Sequence, residues 1–498
     1  MERKVIVAGW GQITQPKELN KPPQDPMGLM SKASQRAAER MNSGKILTDL
    51  DGIMVIRTLS RYYTSPAGQL AQKLGATPKF THVSGIGGNS PQTMINLAAG
   101  MIARNELNSV LVVGAEAYVQ RDKNSKKVES ALFRGIPKNY TGDDLIGSTL
   151  LERLHGIEHP MQGFPLFETA LWAASGLDLQ PYLMKIGKMW SKFSKVAVDH
   201  PYAWTKSMKS PGEIITPGPA NRPIAFPYTK FMNSFVTVDQ GAAVILMSEE
   251  TAKKYSQKGS QTVYFLGGGY AQDRQRFMIE KSDFTSSPPL KAAVEKALER
   301  SCMPLESLDC FDLYSCFPCA VSIAKKMIGI TDDDPRPLTL TGGLGFFGGP
   351  GNNYSLHGVA TLAEKISSGE KSNGLVTALG WFMHKHAAGI YGSEPSTGEF
   401  KNHDIIDQKN CFAGDAPVKI KHQVNGPGII ETYTIIYSLD QKPSYAVLYG
   451  RTRDNFRFIA RTPNNPDIFK QLTLENRVGQ KVNIKFDSSK NMNIADLT

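Results

Sequence analysis

The sequence predicts an α/β protein: a duplicated strand–helix core, an inserted loop region and a small OB-like β-barrel at the C-terminal end. Three observations carry that prediction. The Gly-Gly-Asn-Ser turn at 87–90 and the stretch TGGLGFFGGPGNNYSLHG at 341–358 are each followed by one amphipathic helix and one apolar strand, which reads as an internal duplication. Apolar runs such as VLVVGAEA read as strands covered on both faces. From residue 418 on, five short alternating segments at regular spacing read as a barrel.

Taken in order, residues 5–10 predict a buried strand, 25–41 an amphipathic helix and 51–57 a second strand. SPAGQLAQKLG at 65–75 has serine then proline at its start and glycine at its end, the signature of a short capped helix. A strand at 81, a helix opened by Pro91 and the strand ending at Ala117 complete the first plan. Residues 118–237 are rich in Lys, Arg, Tyr, Trp, Met and Pro, with helical patches such as LQPYLMKIGKMWSKFSKVA, and read as an inserted loop region packed on the core. QGAAVILMSEE returns to the core as a buried strand. The second plan runs VYFLGGGYA (strand), PLKAAVEKALERS (helix), LDCFDLYSCF (strand into loop) and PCAVSIAKKMIG (helix). The glycine loop, its helix, GLVTALGW and AAGIYGSE complete it. The division expected is 1–250 for the first half with its insert, 251–395 for the second half, 396–417 for a linker and 418–498 for the barrel. The barrel strands expected are VKIKHQV, GIIETYTIIYS, SYAVLYGRT, FRFIART and KVNIKFD, with a helix over 466–474.

At 498 residues the chain exceeds what one core can fill. No apolar run approaches the roughly 18 residues that span a bilayer, and VIVAGW follows MERK directly, so a cytoplasmic protein without a membrane span is expected. Five cysteines, an odd and sparse set, argue for free thiols. The Cys316–Cys319 pair lacks a second pair or nearby histidines and reads as packing, so no metal is expected. The net charge of +11 favours an anionic partner. No basic stripe with interleaved aromatics appears, so nucleic acid is not expected, and a phosphorylated small molecule suits the charge equally.

Four blocks in order, the duplicated βαβ plan, DQGAAVILMSEE, the block ending VLVVGAEA, and GGLGFFGGPGNN in the place of a GGxxxxGHPxG loop, resemble the thiolase superfamily over roughly residues 1–395. The resemblance is to the acetyl-CoA acetyltransferase family and implies αβαβα layers. The added barrel resembles the extra domain of type 1 thiolase-like proteins, a subgroup related to sterol-carrier-protein thiolases.

What the resemblance implies for the site is specific. A thiolase carries a nucleophilic cysteine at the start of its buried helix; that position falls at Gly88, Asn89 or Ser90, and no cysteine is near. Ser90 is either an acyl acceptor or the N-cap ahead of Pro91. The family's HDCF or NEAF motif corresponds to Tyr314-Ser315-Cys316-Phe317, where Tyr314 can still donate to an enolate or oxyanion. The GHP histidine becomes Gly349, with Pro350 retained, and Asn352 follows in the same loop. His386, or His384, in WFMHKHAAGIY is the candidate base, and His357 is another. The loop glycines Gly348, Gly349 and Gly88, together with Asn89, are candidates to hold the ligand, and Arg134, with Lys138 and Arg153, to hold a nucleotide. The expected ligand is coenzyme A or an acyl-CoA thioester, handled in lipid metabolism through a base and an oxyanion hole. The alternatives are a retro-aldol lyase on an acyl-CoA, or a non-catalytic carrier of acyl-CoA or lipid. A monomer or a homodimer is expected.

Overall fold

The computed structural model describes residues 3–16, 22–119, 147–255, 261–396 and 412–497. In the first half the sheet order is Phe80–Val83, Gly52–Val55, Ser109–Ala117, Asp239–Ser248, Val5–Thr14. The second half runs Phe311–Asp312, Asn373–Gly380, Lys385–Gly392, Tyr264–Asp273. Each half thus passes from its second strand, through the strand after its glycine loop, to an antiparallel neighbour and then to its first strand. That shared order is the duplication. The halves join edge to edge, with Ile6 opposite Tyr264 and the Val7 amide donating to Val263 O at 2.8 Å.

Alternation along the strands sorts side chains into layers. Val5, Val7, Val110 and Val112 face the middle layer, where the helices Ser90–Ala103 and Tyr354–Ser367 lie. Ile6, Ala8, Leu111 and Val113 face the opposite way, onto the helix Pro26–Glu39. Each buried Val, Leu or Ile contributes roughly 1.5–3 kcal/mol, so a strand apolar on both faces is strongly held between layers. Gly9 and Gly11 let the outer helix approach closely, because a Cβ on either would run into the carbonyls of Ala37 and Ala33. That helix is capped by Asp25, whose Oδ1 accepts from the Gly28 amide at 2.9 Å.

The described part of the insert is more helical than the loop region expected. Pro160–Ser175 and Leu179–Asp199 are long helices. Leu183, Ile186, Trp190 and Phe193 recur at helical spacing and bury one face of the second helix in the main core. A hairpin, Pro223–Ala225 with Tyr228–Thr229, reaches from the insert to the barrel, placing Ala225 opposite Ile436.

The barrel order is Pro443–Thr452, Arg457–Arg461, Met492–Asp496, Lys481–Asp487, Gly426–Tyr437, closing back on Pro443–Thr452. One strand assignment is corrected. VKIKHQV forms no strand, only a bridge from Ile420 to Arg457, and the fifth strand is Met492–Asp496. Alternation alone does not distinguish an edge segment that lies along the barrel from one that enters its ladder. The barrel is stitched to the core: buried Arg457 donates to Lys281 O at 2.8 Å, and the Tyr449 hydroxyl donates to Glu152 Oε1 at 3.0 Å. Among the described residues no helix is long and apolar enough to cross a membrane, and no cluster of three His, Cys, Asp or Glu could hold a metal. Cys302, Cys310, Cys316 and Cys319 are free thiols; Cys411 lies outside the described residues.

Candidate functional site

The two glycine loops meet in the middle layer, where the first packs against the first turn of the second half's helix. The Gly87 amide donates to Asn352 Oδ1 at 2.9 Å, and the Asn352 amide group donates to Arg57 O at 2.8 Å. The Ser355 hydroxyl donates to Gly88 O at 3.3 Å, and Asn353 Nδ2 donates to Gly114 O at 2.8 Å. Side chains from one half therefore satisfy the backbone of the other, which only glycine-rich turns could bring so close.

Tyr314 enters this junction from the loop after Phe311–Asp312. Its hydroxyl lies against Gly88, so a side chain at 88 would collide with it and with Leu379 O. Burial raises the Tyr314 pKa, which keeps the phenol a neutral O–H donor. Its ring stands edge-on to Tyr354, with centroids 5.5 Å apart. The Tyr354 hydroxyl is 2.6 Å from Thr341 Oγ1, and Asp312 Oδ1 accepts from the Thr339 hydroxyl at 3.0 Å and the Leu340 amide at 2.8 Å. Asp312 is fully buried and its carboxyl is pushed up to about 6. This network fixes both tyrosine rings.

Of the other candidates, Asn89 lies in the junction. Its Nδ2 donates to Thr93 Oγ1 at 3.2 Å, and its Oδ1, beside Gly87 and Gly380, is buried with no partner among the described residues. Ser90 turns its hydroxyl to Gly85 O at 2.9 Å, a carbonyl and not a base. The Gly349 amide donates to Phe235 O at 2.8 Å, and Gly348, at φ 119°, packs on Gln240. These glycines make a packed turn under the insert.

The histidines are elsewhere. His357 Nδ1 is 2.8 Å from Gln12 Oε1, and its ring packs on Phe347. Burial, with His200 nearby, pushes it down to about 3. Gln12 and His200 line a cleft of about 800 Å³ along the far half of the helix Tyr354–Ser367. His386 points to the outer face of its sheet, with Nε2 3.0 Å from the hydroxyl of Ser287, the N-cap of the outer helix Pro288–Ser301. Burial pushes it, too, down to about 3. His384 is fully buried, and neither ring nitrogen has a hydrogen-bond partner among the described residues. Arg134 and Lys138 fall outside the described residues.

The fold has known relatives. It matches acetyl-CoA acetyltransferase from Syntrophomonas wolfei with a TM-score of 0.57 at 16% identity, covering 79% of this chain and 100% of that one. An Ltp2–ChsH2(DUF35) aldolase matches at 0.60 and 16%, over 79% of this chain and 98% of the other. A monomeric SCP2-thiolase-like protein type 1 from Mycobacterium smegmatis matches at 0.82, with 29% identity over 100% of both chains. Residues 409–489 match the family described as the thiolase-like protein type 1 additional C-terminal domain. The chain has the architecture of a type 1 thiolase-like protein. Sequence comparison with curated proteins gives no match.

One residue of this thiolase-like chain was passed over in the sequence. Lys385 pairs with Gly380 across the hairpin. A Cβ at Gly380 would lie 3.2 Å from Lys385 Cβ and against Asn89 Oδ1, so Lys385 is on the junction face. It is 2% exposed. Strand alternation in HKHAAGIY was the signal that could have found it: His384 and His386 cannot share a face with Lys385.

Proposed function

We propose that this thiolase-like chain binds an acyl-CoA thioester at the junction of its glycine loops and acts on it through an enolate, without a covalent acyl-enzyme. The observation that carries the reading is the Tyr314 hydroxyl resting against Gly88 at the start of a buried helix. The resemblance assigns a nucleophilic cysteine to this neighbourhood; here the sequence is GGNS, and Ser90 bonds a carbonyl. A phenol held neutral can donate to the oxygen of an enolate as charge develops there, the kind of contact typically worth 10²–10³ in rate. Carbon–carbon cleavage or formation next to a thioester, of retro-aldol or Claisen type, needs only that donor and a base. The fold likeness to the Ltp2–ChsH2(DUF35) aldolase supports that class, and the net charge of +11 suits the phosphates of coenzyme A. A second reading, a non-catalytic carrier of acyl-CoA or lipid, is favoured by the close packing at Gly88.

Calorimetric titration with coenzyme A and a short panel of acyl-CoAs, followed by mass analysis of the protein, tests the reading. Micromolar binding with no covalent adduct is expected. Absence of binding to every member of the panel would overturn it, and a stable acyl adduct would overturn the enolate chemistry.

A further inference from the structure

We infer that ionised Asp312 is a positioning residue. Its charge sets the proton order of a buried hydroxyl chain that holds Tyr354 and, through it, the Tyr314 donor. This role rests on the enolate reading and adds to it a group that touches no substrate.

Four donor groups converge on one oxygen of this carboxylate. Asp312 Oδ1 accepts from the Thr339 hydroxyl at 3.0 Å, the Leu340 amide at 2.8 Å, the Thr341 amide at 3.3 Å and the Thr341 hydroxyl at 3.2 Å. Oδ2 lies against Gly358 with no partner among the described residues. A carboxylate only accepts, so Thr341 spends its single hydroxyl proton on Asp312. The Tyr354 hydroxyl, 2.6 Å from Thr341 Oγ1, must then be the donor of that pair. Hydrogen bonds to an ionised acceptor are roughly twice as strong as neutral ones, which holds the order firmly. The chain ties together three parts of the junction. Thr339–Thr341 leads into the second glycine loop, Tyr354 begins the helix after it, and Tyr314 follows Asp312 by two residues. The Tyr354 ring meets the Tyr314 ring at 89°, a directional contact that passes the constraint to the donor at Gly88.

The order holds only while Asp312 is charged. Burial pushes its carboxyl up to about 6, so it is ionised at neutral pH and takes up a proton in mildly acid solution. A neutral carboxyl holds fewer donors and holds them less strongly, and Thr341 can then turn its proton towards Tyr354. The groups facing Asp312 do not titrate in its place. Burial, with the charge of Asp312 itself, keeps Tyr354 neutral, and burial keeps the Cys310 thiol neutral. Arg336, stacked over the Phe311 ring, is held by Asp334, and His357, the neighbour of Gly358, faces Gln12.

The test is α-hydrogen exchange of butyryl-CoA in deuterium oxide, read by mass spectrometry from mildly acid to neutral pH, with binding measured calorimetrically on the same samples. The wild-type rate should rise as pH passes through about 6. Asp312→Asn keeps the shape and removes the charge. It should bind like the wild type, exchange about 10²-fold more slowly at neutral pH and lose that step from its pH profile. In a Tyr314→Phe background the same change should cost little more, because both act through one donor. Thr341→Val should lose exchange, and Thr341→Ser, which keeps the hydroxyl, should retain it. A wild-type rate in Asp312→Asn, or losses that simply multiply in the double variant, would overturn the inference. Should Asp312→Asn fail to fold, equal exchange in the two Thr341 variants would overturn it. Failure of the wild type to bind any acyl-CoA, or binding without exchange, would instead overturn the enolate reading, and this role with it.

Discussion

The hydroxyl of Tyr314 rests against the backbone of Gly88, and the two residues come from opposite halves of the duplication. The contact closes the space that a nucleophile's side chain would need. A donor therefore occupies the ground where the superfamily resemblance expects a thiol.

Replacing Gly88 with alanine or cysteine should overpack the junction. A loss of about 1–3 kcal/mol is expected, read as a lower denaturation midpoint. In a Tyr314→Ala background, part of that cost should disappear, giving a coupling outside additivity. Strict additivity would mean that the two residues do not meet.

Tyr314→Phe removes the hydroxyl and leaves the ring against Tyr354. Stability should change by no more than about 1.5 kcal/mol. Exchange of the α-hydrogens of butyryl-CoA should fall by about 10²-fold or more with little change in binding. An unchanged exchange rate would remove the tyrosine from the chemistry.

Glu168 joins the two insert helices, the hairpin and the second half, since the hydroxyls of Tyr182 and Tyr228 both reach its carboxyl and Tyr228 also accepts from the Cys319 amide. Burial pushes this carboxyl up from 4.5 to about 7. A raised folded-state value favours the protonated form, so its stabilisation is complete below 4.5 and lost as pH rises through about 7. The loss is on the order of 3 kcal/mol. Urea midpoints compared between acid and neutral pH should show that slope in the wild type and a weaker one in Glu168→Gln. Equal slopes would assign the pH dependence to other groups.

The barrel should not behave as a separable module. One continuous apolar cluster contains Phe167 and Phe284 of the core with Tyr449 and Phe458 of the barrel. Removing residues 412–498 should yield an insoluble or unfolded product, and the intact chain should unfold in one transition. Arg457→Met, which removes the donor to Lys281 O and leaves Glu431 with Arg451 alone, should cost about 1–3 kcal/mol. Two resolved transitions by calorimetry would show an independent barrel.

Much of the core was legible because local rules and tertiary demands agreed there. Pro66–Leu74 begins at proline and ends on Gly75 in the left-handed conformation, as its sequence spells out. The apolar strand Ser109–Ala117 is buried along its whole length. The barrel was legible as a class but not strand by strand, because the segment before Gly426 alternates like a ladder member yet makes only one bridge.

The sequence by itself determined the layered duplication, the presence of a barrel, the meeting of the glycine loops and the lack of a cysteine at the start of the buried helix. Those follow from periodicity, glycine placement and residue identity, which are properties of short stretches. Only the tertiary structure decided which side chains share a site. Two histidines and a lysine stand in a row at 384–386, and the register of one strained hairpin turns Lys385 to Asn89 and His386 to Ser287. Side-chain direction reverses at every residue of a strand, so the choice of face depends on where the turn fixes the ladder.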